Sequence, residues 1–250
     1  MLERTPRAVS LTAEGRVLYE ATSSGFAEIA KALEKLRQRQ APATLTLTST
    51  PAFLSHWMVP RLTQLRQLLP DVDLRLHASD AIVPLRAGDV EVAIRYGKGP
   101  FAGVVAHPLR ADVFGPVCSP RLGVATLDDL RDAALIHIDG RQVPAPSPDW
   151  PRWCAQAGLL DLDTHAGARF PDSMLAVQAA IAGQGVAIVS LVLVADALAS
   201  GLLTAPFDSV LPGETYHFAC APGLEARHDV VALRAWLDRT MADVTRPSPE

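Results

Sequence analysis

From residue 45 to the C-terminus, runs with the two-residue period of β-strands alternate with runs typical of α-helices. The series begins with a strand at Leu45–Thr48, followed by a helix from about Ala52 to Leu69 that has Pro51 in its first turn. A second strand is predicted at Val72–Leu76. Repeated βαβ units pack as a mostly parallel sheet covered by helices, because parallel strands need a long crossover connection. The predicted fold class is therefore α/β.

The same pattern continues with a stretch at Val104–Cys118 that is rich in strand formers and suited to crossing between two lobes. Pro206, Pro212 and Gly213 are interpreted as loop residues. The other predicted elements are short helices at Leu85–Gly88 and Leu127–Arg131, helices at Pro151–Ala157, Ser173–Ala182 and Val230–Met241, and strands at Val90–Arg95, Ala134–Ile138, Ala166–Phe170, Val186–Val189 and Tyr216–Cys220. Two α/β lobes joined by crossing strands describe a binding fold with a cleft between the lobes.

A long amphipathic helix precedes this region. Thr12 is suited to cap its N-terminus, and Glu14 complements the helix dipole in the first turn. A single apolar stripe then recurs at steps of three and four residues: Leu18, Ala21, Gly25, Ile29, Leu33 and Leu36. A helix of roughly seven turns with so narrow a stripe favours pairing with a copy of itself. The alternative is a solvated helix lying on its own domain. A linker is predicted at Gln40–Ala43.

Charge and cysteine content restrict the function classes. A formal net charge of −4 does not by itself suggest a nucleic-acid-binding protein, because such proteins are usually basic overall. Residues 1–40 hold seven Lys and Arg against five Asp and Glu, so the basic excess lies at the N-terminus.

The three cysteines are scattered and have no metal-ligand spacing. With no signal-peptide pattern at the start and no apolar run long enough to span a bilayer, a cytoplasmic location and no membrane contact are expected.

The N-terminal string resembles the wing and the start of the linker helix in LysR-type transcriptional regulators. The resemblance rests on Arg4, Arg7, Leu11-Thr12 and Gly15 at the family's spacing, although Met1 and Leu2 stand where the family usually has Leu and Phe. The body is similar to the effector domain of the subgroup that includes the glycine-cleavage activator and the β-lactamase regulators. The segments that carry this similarity are Trp57–Leu62, Pro70–Val72, Gly88–Gly97, Trp150 with Trp153, and Gly183–Ile188.

The resemblance implies three regions: residues 1–12 as the remnant of a winged helix-turn-helix, 13–41 as the linker and dimerisation helix, and 45–250 as the effector-binding domain. The implied fold of that domain is the two-lobed type II fold of periplasmic binding proteins, with lobe I at about 45–118 and 221–246 and lobe II at about 119–220. The helix-turn-helix that precedes the wing in the family is missing here, which suggests an internal start codon or a shortened gene. Arg4 and Arg7 are expected to contact DNA phosphates, which adds affinity without sequence discrimination.

The resemblance also implies three partners: promoter or operator DNA when the full N-terminus is present, a small-molecule effector, and the chain itself as a dimer or tetramer. No cofactor or metal is expected. Polar residues at strand ends and helix starts are the candidates for effector contacts: Ser49, Thr50, Ser79, Asp80, Tyr96, His137, Asp172 and Ser173. They suit an amino-acid-like or carboxylate ligand. The alternatives are that Ser49, Thr50 and Asp172 only cap helices, and that His137 only satisfies a strand end.

Other function classes have weaker support. The sequence holds neither a Gly-x-Ser-x-Gly elbow nor a His-Glu-x-x-His helix, and Gly183-Gln184-Gly185 is too short for a dinucleotide fingerprint, so no enzyme is predicted. A stand-alone solute-binding protein of the same two-lobed fold is an open alternative, although it has no use for the N-terminal arginines or the striped helix. A truncated partner that dimerises without binding DNA is another.

Overall fold

The computed structural model describes residues 2–5, 8–40, 43–140 and 143–242. The chain divides into two compact units at the bond between Ala43 and Thr44.

The first unit consists of a two-stranded antiparallel ribbon and one long helix. Strands β1 (Leu2–Thr5) and β2 (Ala8–Leu11) pair with Leu2 opposite Leu11. Helix α1 (Ala13–Gln40) has 28 residues, which corresponds to a length of about 42 Å. The predicted cap is confirmed, because the Gly15 N–H donates to Thr12 Oγ1 over 3.1 Å.

The predicted stripe on α1 is partly described. Leu18 and Ile29 are 46% and 56% exposed within the chain, and three further apolar side chains of α1, Val17, Tyr19 and Phe26, are also exposed. The side chains of Leu33 and Leu36 lie outside what the structure describes.

The second unit is built on an eight-stranded sheet, counted over the described residues, with the order β4-β3-β5-β10-β6-β9-β7-β8. Its strands are β3 (Ala43–Ser49), β4 (Val72–Ala78), β5 (Val92–Gly97), β6 (Val105–Val117), β7 (Leu135–Ile138), β8 (Ala168–Phe170), β9 (Val186–Ser190) and β10 (Leu211–Cys220). The sheet is mixed. Strands β3 and β5 are parallel, as are β7 with β8 and β9, whereas the central strands β10 and β6 are antiparallel to each other and to their outer neighbours.

The long central strands β6 and β10 join two lobes. The first lobe comprises β3, β4 and β5 with the helical segment that follows β3 and helix α7 (His228–Ala242). The second comprises β7, β8 and β9 with helices α3 (Leu127–Asp132), α4 (Trp150–Ala157), α5 (Ser173–Ile181) and α6 (Ala195–Ala199). This arrangement confirms the predicted two-lobed fold.

Each lobe has its own aromatic core. In the first lobe, Trp57 packs edge-on against Trp236 with ring centroids 5.6 Å apart. In the second, Trp150 and Trp153 pack edge-on at 5.8 Å, and their indole N–H groups donate to the backbone oxygens of Ile136 and Ser209. Trp150 and Trp153 therefore each combine a large apolar area with one satisfied polar atom.

The helical segment after β3 changes its winding along its length. It runs as a π-helix over Phe53–Met58, tightens to a three-residue turn over Val59–Arg61, and continues as helix α2 (Leu62–Leu68). The change falls at Pro60, which has no N–H to donate to the preceding turn. The sequence predicts one helix over this range, and the structure confirms its extent.

Two predictions about local structure are wrong. Leu85–Gly88 is not a helix but part of a turn, in which the Arg86 N–H donates to Val90 O and Gly88 adopts a positive φ of 80°. Pro212 and Gly213 do not lie in a loop but within β10, where a register irregularity between Pro212 and Thr215 accommodates them. A bulge lets proline enter a strand because no ladder hydrogen bond is then required of it.

Candidate ligand-binding cleft

A cavity of about 270 Å³ lies between the two lobes. One wall is the junction between β3 and the following helix, and the opposite wall is the junction between β8 and α5. The lining residues are Thr50, Pro51, Ala52, His56, Asp80, Tyr96, Phe114, Ile138, Gly140, Val143, Pro171, Asp172, Ser173, Met174, Val177, Val189, Ser190, Leu193, Val194 and Tyr216. Mostly apolar linings with a few polar groups are typical of small-molecule sites.

Two helix starts meet at this cavity. On the first wall, Thr50 Oγ1 accepts a hydrogen bond from the Phe53 N–H over 3.2 Å. On the second wall, Asp172 caps α5, and its Oδ1 accepts from the Leu175 N–H over 2.9 Å. Both residues therefore act as caps and also line the cavity. The first N–H groups of a helix have no partner within the helix, so helix starts attract negatively charged groups.

Five of the eight predicted contact residues line the cavity: Thr50, Asp80, Tyr96, Asp172 and Ser173. The other three are placed elsewhere. Ser49 is buried, and its hydroxyl donates to Ile94 O over 3.1 Å. The Ser79 hydroxyl is bonded to the Ala81 backbone, and His137 Nε2 lies 2.8 Å from Ala166 O at the strand end. The structure thus does not bring Ser49, Ser79 and His137 to the cavity.

The cavity also contains polar side chains that the sequence analysis missed. Tyr216 and Ser190 are 6% and 5% exposed and belong to the lining. Tyr216 stands opposite Tyr96 in the register of β10 and β5, with ring centroids 4.9 Å apart. The Tyr96 hydroxyl accepts from the Glu214 N–H over 2.8 Å. From the sequence of β10 alone, Tyr216 looks like an ordinary core residue. Its place in the cavity wall becomes evident only from the pairing of β10 with β5.

His56 is a further missed residue of the first wall. Its Nε2 atom is buried and has no hydrogen-bond partner among the residues that the structure describes. Burial lowers the pKa of the imidazole, because desolvation disfavours the charged form. His56 therefore brings a neutral ring to the cavity at neutral pH.

The fixed charge of the described lining is acidic. Among the described lining residues the carboxylates are those of Asp80 and Asp172, and none is Lys or Arg; residues 141–142, between the lining residues Gly140 and Val143, lie outside what the structure describes. Over the described part of the chain no group of His, Cys, Asp and Glu side chains is arranged to hold a metal ion. No helix in the same part is long and apolar enough to cross a membrane.

Comparison with known proteins identifies the family. Residues 38–242 match the LysR substrate binding domain. The chain is 32% identical to the glycine cleavage system transcriptional activator of Escherichia coli over 243 residues, which are 95% of this chain and 78% of that protein. It is 28% identical to the transcriptional activator AmpR of Rhodobacter capsulatus over 242 residues, 96% of this chain and 81% of that one.

Solved structures agree with this assignment. The effector domain of the transcriptional regulator AmpR of Pseudomonas aeruginosa superposes with a TM-score of 0.62 at 27% identity, covering 80% of this chain and 96% of that domain. The LysR-type regulator CrgA of Neisseria meningitidis shares the fold at 20% identity, with a TM-score of 0.59 and coverage of 98% and 84%. These relatives are transcriptional activators or regulators, and the matching part of AmpR is its effector domain. The chain belongs to the LysR family of transcriptional regulators.

Proposed function

We propose that the cavity between the lobes binds the effector of this regulator, and that the effector is a small amino-acid-like molecule with a positively charged nitrogen. The observation that carries the proposal is the combination of two facing helix starts with the carboxylates of Asp80 and Asp172, which are the charged side chains of the described lining. A ligand that was only a carboxylate would be repelled by these two carboxylates. A positively charged ammonium group on the same ligand offsets the repulsion between the carboxylate of the ligand and the two aspartates.

The three parts of an amino acid each have a counterpart in the cavity. Backbone N–H groups at the helix starts beside Thr50 and Ser173 suit a carboxylate. Asp80 and Asp172 suit an ammonium group, since charge-assisted hydrogen bonds are the strong ones. Apolar residues of the second lobe and its edge suit a hydrocarbon side chain, chiefly Met174, Val177, Val189, Leu193 and Val194.

Calorimetric titration of the purified chain with the L- and D-forms of the common amino acids tests this function. At least one is expected to bind, and Asp80→Asn and Thr50→Val are each expected to weaken that binding by about tenfold, which corresponds to about 1.4 kcal/mol. Asp128→Asn is the matched control, because Asp128 is an exposed carboxylate of α3 that does not line the cavity. Absence of heat with every compound would contradict the proposal.

We further propose that α1 pairs with α1 of a second copy. Tyr19 and Phe26 are seven residues apart and share a helix face, and together with Leu18 and Ile29 they leave four large apolar side chains exposed. Helices with such a stripe gain stability by burying it against a partner helix. Residues 13–41 would then be the dimerisation segment and residues 45–250 the effector domain.

Light scattering coupled to size-exclusion chromatography tests the pairing. The wild-type chain is expected to elute as a dimer or a tetramer, and the double variant Leu18→Gln, Ile29→Gln as a species of lower mass. Glu20→Gln, an exposed polar position on the same helix, is expected to behave like the wild type. A wild-type monomer would contradict the proposed role of α1.

Promoter DNA remains the expected macromolecular partner, and a cytoplasmic location follows from that role. Arg4 and Arg7 remain predicted phosphate contacts. Arg7 lies outside the described residues, and the side chain of Arg4 lies outside the described side chains. Replacing both arginines by Gln is expected to weaken DNA binding equally for all sequences and to reduce its salt dependence.

A further inference from the structure

We propose that Asp112 is a positioning residue for effector recognition. It holds the hydroxyl protons of Ser190 and Tyr216, so that this part of the cavity wall presents acceptors and selects ligands that donate N–H bonds. The proposal rests on the proposed function, and it assigns the preference for an ammonium group to a residue that does not line the cavity.

Asp112 lies on β6 directly behind two residues of the lining. It is 1% exposed, and its Oδ1 accepts hydrogen bonds from Ser190 Oγ over 2.7 Å and from the Val113 N–H over 2.8 Å. Its Oδ2 accepts from the Tyr216 hydroxyl over 3.3 Å. The Val113 N–H can only donate, so Asp112 Oδ1 is an acceptor, and in the proposal the carboxyl group accepts both hydroxyl protons as well.

The direction of these bonds follows from the donors and acceptors that each group carries. An ionised carboxylate only accepts, and a hydroxyl has a single proton to donate. Ser190 and Tyr216 therefore each direct their proton to Asp112. The burial of Tyr216 and the nearby charge of Asp112 raise the pKa of its phenol well above the usual value, so the phenol keeps that proton.

A ligand consequently meets oxygen lone pairs at this wall. Ser190 Oγ already accepts from the Leu193 N–H over 3.2 Å, which leaves Tyr216 as the main acceptor for a ligand. An ammonium group can donate to this oxygen, whereas a carboxylate would face another acceptor with no proton between them. The negative charge of Asp112 also adds to those of Asp80 and Asp172, and it therefore favours an ammonium group over a carboxylate as well.

Asp112 and the two hydroxyl groups that it binds lie where the two lobes join. Asp112 lies on β6 and Tyr216 on β10, the two strands that cross between the lobes, and Ser190 ends β9 in the second lobe. The three side chains therefore hold together the centre of the sheet beneath the cavity.

Exchange of the carboxylate for an amide tests the proposal. In Asp112→Asn the amide group donates to one of the two hydroxyl oxygens and releases that hydroxyl proton toward the cavity. The probes are 3-methylbutylamine and 4-methylpentanoate, which carry the ammonium group and the carboxylate of leucine on the same hydrocarbon. We expect the wild type to bind the amine at least about tenfold more tightly, and Asp112→Asn to bind the two within about a factor of three.

Control variants separate this role from a structural one. Asp128→Asn is expected to keep the wild-type preference. Tyr216→Phe retains the carboxylate, and it is expected to weaken binding of the amine more than binding of the carboxylate probe. This variant decides the matter if Asp112→Asn does not fold. An unchanged amine preference in Asp112→Asn or, failing that variant, in Tyr216→Phe would overturn the proposal.

A measurement without ligand distinguishes this proposal from the proposed function. The tyrosine doublet in a Raman spectrum reports whether a phenol donates or accepts its hydrogen bond, and the difference between wild type and Tyr216→Phe isolates Tyr216. A donor signature in the wild type that is lost in Asp112→Asn supports the role of Asp112 even if no amino acid binds. An acceptor signature in the wild type overturns that role even if amino acids bind.

Discussion

Arg61 and Asp196 form a two-bonded ion pair between the lobes, with distances of 2.6 and 2.7 Å from the guanidinium nitrogens to the carboxylate oxygens. Arg61 also donates to Trp57 O over 2.9 Å and lies 4.6 Å from the centre of the Trp57 ring. The helix that carries Arg61 begins at the first wall of the cavity, and Asp196 follows Leu193 and Val194 of its lining. The pair therefore fixes the spacing of two parts of the cavity wall.

The coupling between Arg61 and Asp196 can be measured with a double-mutant cycle. We expect a coupling free energy of about 1 kcal/mol from urea denaturation of the Ala variants, since the geometry is bidentate but the Asp196 side chain is 45% exposed. Arg61→Lys is expected to lose most of it, because an ammonium group makes neither the second bond nor the planar stacking. The exposed pair of Arg75 and Asp73 is the control, with an expected coupling near zero. Equal values for the two pairs would contradict this interpretation.

Gly213 is predicted to tolerate no side chain. A Cβ atom there would lie 2.6 Å from the Tyr96 hydroxyl oxygen and 2.8 Å from Phe114 Cε2, and both of these residues line the cavity. Gly213→Ala is therefore expected to lower the free energy of unfolding by about 1–3 kcal/mol and to weaken ligand binding. Tyr96→Phe removes the closest atom, so the double variant should regain part of the stability. A Gly213→Ala protein as stable as the wild type would contradict this prediction, because it would show that Tyr96 and Phe114 can move aside at little cost.

The sequence was sufficient to predict most elements of the fold. Alternation located β4, helical periodicity located α5, and short apolar runs located β3 and β5, each to within a few residues. The sequence pattern failed at Leu85–Gly88 and at Pro212–Gly213. In the first case a glycine closes a turn instead of a helix, and in the second a strand irregularity accommodates two residues that usually break strands.

The candidate site was less predictable than the fold. Thr50 and Asp172 could be found because a cap is a local pattern of hydrogen bonds that precedes a helix. Asp112, Ser190 and Tyr216 come from three strands, and only the register of those strands brings them together. His137 has the sequence context of a site residue, but its Nε2 atom lies 2.8 Å from Ala166 O in the loop before β8.

Cys118 is predicted to be unreactive in the folded protein. It is fully buried, and desolvation raises the pKa of its thiol to about 11 from a usual value of 9.0. Since the thiolate is the reactive form, the ionised fraction near neutral pH falls by about a hundredfold even before access is considered. Burial also raises the pKa values of Cys154 and Cys220. An aromatic disulfide reagent should label none of the three in buffer and all three in urea, whereas Ala87→Cys, at an exposed turn, should react at once. Rapid labelling of the native wild type would contradict this burial.

His56 is predicted to contribute to loss of stability in acid. Its folded-state pKa lies below the usual value near 6.5, so the unfolded chain takes up a proton more readily than the folded one. The stability associated with the neutral ring is therefore fully present above about pH 6.5 and is lost as the pH falls through the lower, folded-state pKa. Between about pH 7 and about pH 5, His56→Gln should show a smaller decrease in the free energy of unfolding than the wild type, measured by urea denaturation at each pH. His165→Gln, at an exposed position, should retain the wild-type pH dependence. If His56→Gln retains it as well, the buried ring does not carry the effect.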